Sequence, residues 1–252
     1  MMSAGPTNPS VSRSRWSQSL DVRPLWECAL HPASGFQTPA ILDRSTGSAW
    51  ARMMILRTPV AGISMLLSWL SFAKAYERFL DIQSPFWRTL APHLPPEIRL
   101  EDLAELLRAC PRLPGLGQAL PWILLAAPLY VLSLWLHDAV WDHGCLWMLR
   151  GLRGPRSFRI TLKADAETLA VGTLGAALGL LSQTPGIGVF LLLPLSAVGA
   201  YFWILRGFAL AALHGCPAWK GIAATLLHAA LMLILTLLFL GLLAALFFLQ
   251  VA

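Results

Sequence analysis

His137, Asp138, Asp142 and His143 form a tight knot of ionisable groups in a chain otherwise poor in them. Asp138 and Asp142 stand four apart and share a face of any helix there, as do His137 and Trp141. Carboxylates beside imidazoles could bind a divalent metal or relay protons. His214, on the same membrane side in the topology derived below, could join them. The spacing argues for a plainer role, because no His-Glu-x-x-His or comparable ligand pattern is present. The polar residues are then expected to cap a spanning helix and to pair with Arg150 or Arg153. His137-x4-Asp142 also matches the sparse His-x4-Asp pattern of membrane acyltransferases, without an accompanying substrate-binding motif. There is no Gly-x-Ser-x-Gly elbow and no Walker-type phosphate loop. Cys28, Cys110, Cys145 and Cys216 are scattered, and Cys28-x-x-His31 is half of a metal-ligand spacing without a second half. The expectation is no metal, no cofactor and no catalytic residue.

The elements that must position these groups are membrane helices. Charged residues make up 13% of the chain and hydrophobic ones 56%, against about 25% charged in ordinary soluble domains. That deficit places the chain in the membrane class. The net charge of +6 sits in short segments beside apolar runs, which reads as orientation and anionic-lipid contact, with no nucleic-acid partner. Residues 1–50, rich in Ser, Pro, Gly and Thr, read as a poorly ordered tail. They lack a short apolar core after a basic start, so insertion is expected to rely on the first spanning helix.

Five spans follow, an all-α bundle. The first runs from about Met54 to Ala75. Residues 76–112 are a proline-punctuated connector, in which Pro96-Glu97 starts a short amphipathic helix carrying Leu100, Leu103, Leu106 and Leu107 on one face. The second span occupies 113–138. A basic hinge with Arg150, Arg153, Arg156, Arg159 and Lys163 comes next. The uncharged run Thr168–Leu205 would be roughly 57 Å long as one helix, far beyond a bilayer core of about 30 Å. It is therefore broken at Gln183-Thr184-Pro185-Gly186 into spans at about 166–182 and 187–213. Gly172, Gly175 and Gly179 give the first of these a small-residue packing face suited to close helix approach or dimerisation. The last span covers 221–250, with His228 inside it as a bundle-facing hydrogen-bonder.

Lysines and arginines set the orientation. The tail, the hinge, and the Arg206/Lys220 connection fall on one side, so the N-terminus is expected in the cytoplasm and the C-terminus opposite. Arg150, Arg153, Arg156, Arg159, Lys163, Arg206 and Lys220 are then the expected contacts to anionic headgroups.

The order of motifs in the second half carries a resemblance. His143 ends a span and is followed by Leu-Arg-Gly-Leu-Arg-Gly-Pro-Arg-Ser-Phe, with Gly154, Ser157 and Phe158 placed as in a Gly-x-x-Ser-Phe-like hinge. Two closely joined spans follow, and Phe202-Trp203-Ile204-Leu205-Arg206-Gly207 then leads to His214 and Lys220. Over roughly Arg57 to Val251 the chain resembles the bacterial branch of the Yip family, five-span membrane proteins related to eukaryotic Rab-GTPase-interacting factors. The resemblance implies a helical bundle with a cytosolic N-terminus, in a bacterial inner membrane. Eukaryotic members act in vesicle traffic and membrane shaping, whereas bacterial relatives have no Rab partners. The tail here has only Cys28 and His31 where some relatives carry a cysteine-rich zinc ribbon. A non-enzymatic membrane-organising or partner-binding bundle, perforce in contact with membrane lipids and open to homo-oligomers or membrane-protein partners, is the leading expectation. A small transporter or channel using the His/Asp cluster is the alternative, and a membrane enzyme the third.

Overall fold

The structure, a computed structural model, describes residues 23–93, 100–152, 157–183 and 188–251. Among these residues every regular element is helical: α1 Arg23–Leu30, α2 Pro32–Gly35, α3 Pro39–Leu42, α4 Thr46–Leu80, α5 Pro85–Leu90, a 3-10 turn Ala91–His93, α6 Leu100–Ala109, α7 Leu116–Met148, α8 Ser157–Leu181, α9 Gly188–His214 and α10 Ala218–Val251. Five of them, α4 and α7 to α10, are long and apolar enough to cross a membrane. The expected all-α, five-span architecture is what the chain adopts.

The helices overrun the spans read from hydropathy. α4 begins at Thr46, where Ser45 caps it by accepting the Ser48 amide at 3.2 Å. α7 continues through the polar knot to Met148, and α8 starts at Ser157 instead of Ala166. At 1.5 Å per residue α4, α7 and α10 are each roughly 50 Å long, so their ends project well past a hydrocarbon layer of about 30 Å. The starts of α4, α8 and α10 and the ends of α7 and α9 project at the same end of the bundle, because ion pairs and hydrogen bonds join them there.

α8 is central, packed against α4, α7 and α9, while α10 closes the far side against α9 and α7. Its first half is the most enclosed stretch of the molecule. From Thr161 to Val171 every side chain but Leu162 is buried, although Thr161 to Asp165 fall in the basic hinge expected to lie at the headgroups. The charges there are paired inside, and charge counting reads pairing as exposure.

Residues 23–50 correct the expectation of a poorly ordered tail. α1 lies against α8 and α2 against α9, α3 is tied to α8 through the Leu42 carbonyl, and Leu25, Cys28, Phe36, Ile41 and Ala49 join the main core, each 3% exposed or less. Their apolar side chains are diluted by Ser, Pro and Gly in sequence but converge on one surface in space. α1 and α2 touch so closely that a Cβ at Gly35 would stand 2.7 Å from the Cys28 backbone. Residues 1–22 lie outside the described chain.

The connector forms α5, the 3-10 turn and α6. α6 is the expected amphipathic helix: Leu107 is buried while Glu101, Asp102, Glu105 and Arg108 are exposed. Leu106 also faces outward, at 64% exposure. Its expected start at Pro96-Glu97 lies outside the described residues, as does most of the break at Gln183–Gly186.

Candidate functional site

The projecting helix ends bring together charges that sequence separates widely. Arg206, on α9, is the hub. Its Nε donates to Asp142 Oδ2 on α7 and, at 3.2 Å, to Asp165 Oδ1 on α8, while Nη1 reaches Asp138 Oδ2 at 3.1 Å. His228 of α10 adds the fourth helix, with Nδ1 2.8 Å from Asp142 Oδ1. Trp203, one helical turn before Arg206, lies 5.2 Å from its guanidinium and meets the His228 ring edge-on at 5.3 Å. Arg206, Asp138, Asp142, Asp165 and His228 are all buried. Four helices are thus tied at one point by charge-assisted bonds, which are stronger than neutral ones and lose little to water.

A second centre lies on the opposite face of α8. Glu167, fully buried, accepts from Arg44 Nη1 at 2.7 and 2.9 Å and from Arg52 Nη1 at 3.3 Å. Lys163 Nζ donates to the Leu42 carbonyl at 2.8 Å, and Arg57 Nη1 to the Gly172 carbonyl at 2.9 Å. The N-terminal helices are therefore bound to the bundle by its own acidic core residue. Burial and the Glu167 carboxylate push the Cys28 thiol up to about 12, which keeps it protonated and inert.

Of the expected polar cluster, Asp138 and Asp142 share a face and a guanidinium, as helical spacing predicts. Among the described residues their guanidinium partner is Arg206 and not the expected Arg150. His143 and His214 belong to a separate group, bridged by the Thr161 hydroxyl at 3.1 and 3.0 Å. His137 stands at the rim, its side chain 46% exposed and Nδ1 3.3 Å from Asp138 Oδ1. His228 hydrogen-bonds into the bundle, as read from its position.

Two expected headgroup contacts are corrected. Arg206 is 4% exposed and Lys163 9%, because both point inward to acceptors that sequence does not pair with them. Arg150, Arg159 and Lys220 remain at the projecting end: Arg159 Nε donates to Thr46 Oγ1 at 3.3 Å, and Lys220 Nζ to the Arg150 carbonyl at 3.0 Å. Arg153 and Arg156 lie outside the described residues. The glycine face is used within the chain: a Cβ at Gly172 would collide with the Phe202 ring, one at Gly175 would stand 3.1 Å from Val198, and Gly179 has open space. Cys28 and His31 do not share a site, since Cys28 is buried and His31 exposed.

Sequence reasoning missed Asp165, Glu167, Arg44 and Arg52. The available signal was Lys163 and Glu167 four apart, with Asp165 between them, immediately before a long charge-free run. That spacing continues a helix backward into the hinge. No protein-family model, curated protein or solved structure matches the chain.

Proposed function

We propose that this protein is a non-enzymatic, Yip-like membrane bundle that organises lipids or binds membrane-protein partners, in a bacterial inner membrane with the N-terminus cytoplasmic. The observation that carries the reading is the Arg206 hub. Its guanidinium, carried on α9, engages two carboxylates on α7 and one on α8, with α10 attached through His228. Such an arrangement fixes four helices against one another and commits the groups an enzyme would keep free for substrate. The rest of the surface suits contact with lipid or partner helices: from Leu233 to Phe247 every large apolar side chain of α10 is exposed. Arg44, Arg52, Arg57, Arg150, Arg159, Lys163, Arg206 and Lys220 gather at the hub end, which supports placing that end in the cytoplasm.

The test is co-purification from native membrane after in vivo crosslinking, with wild type compared with H137A and H143A. A scaffold retains the same lipids and protein partners in all three, and a protein that brings down no reproducible partner or lipid is not one. A transporter or channel is the second reading, favoured by Asp165 Oδ2 and His228 Nε2, both buried without a hydrogen-bond partner, as at intramembrane proton sites. Proteoliposomes that acidify or take up cations only with the wild-type hub would select it.

A further inference from the structure

We infer that His137, Asp138 and His228 form a divalent transition-metal site across the α7–α10 seam. One donor atom from each residue lies within 4.8 Å of the other two. Two imidazoles and one carboxylate are the ligand set of zinc and of open-sided iron, cobalt and nickel sites, whereas magnesium and calcium favour oxygen.

The hydrogen bonding of His228 points to a ligand independently of that clustering. A carboxylate only accepts, so the 2.8 Å contact with Asp142 Oδ1, much shorter than the 3.4 Å approach of the Arg206 Nη2 donor to the same nitrogen, places a proton on His228 Nδ1. In the neutral ring Nε2 then carries a bare lone pair, and that atom is buried and without a hydrogen-bond partner. A carboxylate holding the remote ring N–H is the usual support of a metal-bound histidine, fixing its tautomer and orientation. Asp142 fills that role here.

Charge gives the same answer. Asp138, Asp142 and Asp165 converge on a single guanidinium, an excess of buried carboxylates over cations that a metal ion would relieve. Geometry allows entry. His137 Nδ1 and Asp138 Oδ1 are 3.3 Å apart, close to the ligand–ligand edge of about 3.4 Å expected for tetrahedral bonds near 2.1 Å. The His137 ring, half exposed at the mouth of a groove lined by Ser133, Leu136, Val140 and Trp141, needs only a small movement to close on the other two. A metal there clamps α7 to α10.

The test is cobalt(II) titration of the chelator-stripped, full-length protein in detergent, carrying a histidine-free tag. Wild type should bind one cobalt per chain, show its visible d–d absorption and release it to zinc but not to magnesium. H137A, a rim substitution outside the hub, should weaken binding at least about tenfold, the scale on which lost metal-site contacts are felt, while eluting as the same monodisperse species. H93A, at the other end of the bundle, should bind as wild type. Absence of stoichiometric binding by wild type, or equal binding by H137A, overturns the site.

Discussion

At the residue scale, the chain depends on buried charges whose partners are few and close. Removing one member of a buried ion pair leaves the others uncompensated, at about 3–5 kcal/mol. R206A should therefore destabilise the bundle by that amount, read as a lower melting temperature in detergent, and R206K should recover little because one ammonium cannot face three carboxylates in fork geometry. E167Q should loosen the N-terminal helices selectively, seen as faster proteolysis within residues 23–45 with α7 to α10 still protected. Cys28 gives a pH signature. Its thiol rises from an ordinary value of 9.0 to about 12 in the folded chain, so the folded state binds the extra proton between those values. The stabilisation is complete below pH 9 and declines as pH climbs toward 12. Native protein should leave Cys28 unalkylated at pH 8, and denatured protein should alkylate it fully; labelling of Cys28 in the native state would contradict its burial.

At the element scale, α9 and α10 approach at a glycine pair. A Cβ at Gly207 would lie 2.5 Å from Ile222 Cα and 2.7 Å from Ile222 N, and one at Gly221 would strike the Gly207 carbonyl. Backbone cannot yield as a side chain can, so G207A or G221A should wedge the helices apart at about 1–3 kcal/mol. G179A, with open space around it, should be neutral or slightly stabilising through helix propensity. G172A is intermediate, since the obstacle is the Phe202 ring. Parallel melting curves of the four variants check this order. The position of α8 explains why hydropathy placed its start too late: the turn from Thr161 to Asp165 is polar in sequence but enclosed by the neighbouring helices.

For the whole molecule, alternating helices with one ionic end give a topology that a fusion can read. A reporter active only in the cytosol should be silent after Ala252 and active before Met1. The same polarity divides the bundle structurally. The end with Arg206 and Glu167 is locked by buried ion pairs, the connector at the opposite end exposes the charged face of α6, and the outer part of α10 exposes apolar side chains. If the proposed partner-binding role holds, variants that lose partners should map to α10 beyond Leu233, with stability variants at the hub. An alanine-to-leucine and leucine-to-alanine scan of 233–247, scored by crosslinking yield, distinguishes the two classes.

Apolar run length, proline and glycine breaks and the shortage of charge sufficed to determine five membrane-capable helices, their order and the shared side of their basic ends. Those features are local, and a bilayer acts on each segment separately. The i, i+4 pairing of Asp138 with Asp142 was legible for the same reason, being a property of one helix. The inward turn of Arg206 and Lys163, the docking of residues 23–50, and the placing of Asp165 and Glu167 on opposite faces of α8 were decided only by tertiary structure. A charge near the end of an apolar helix satisfies sequence rules equally well whether it reaches out to a headgroup or in to a carboxylate. The choice rests on which acceptor lies within about 3 Å, and that distance exists only once the helices have packed.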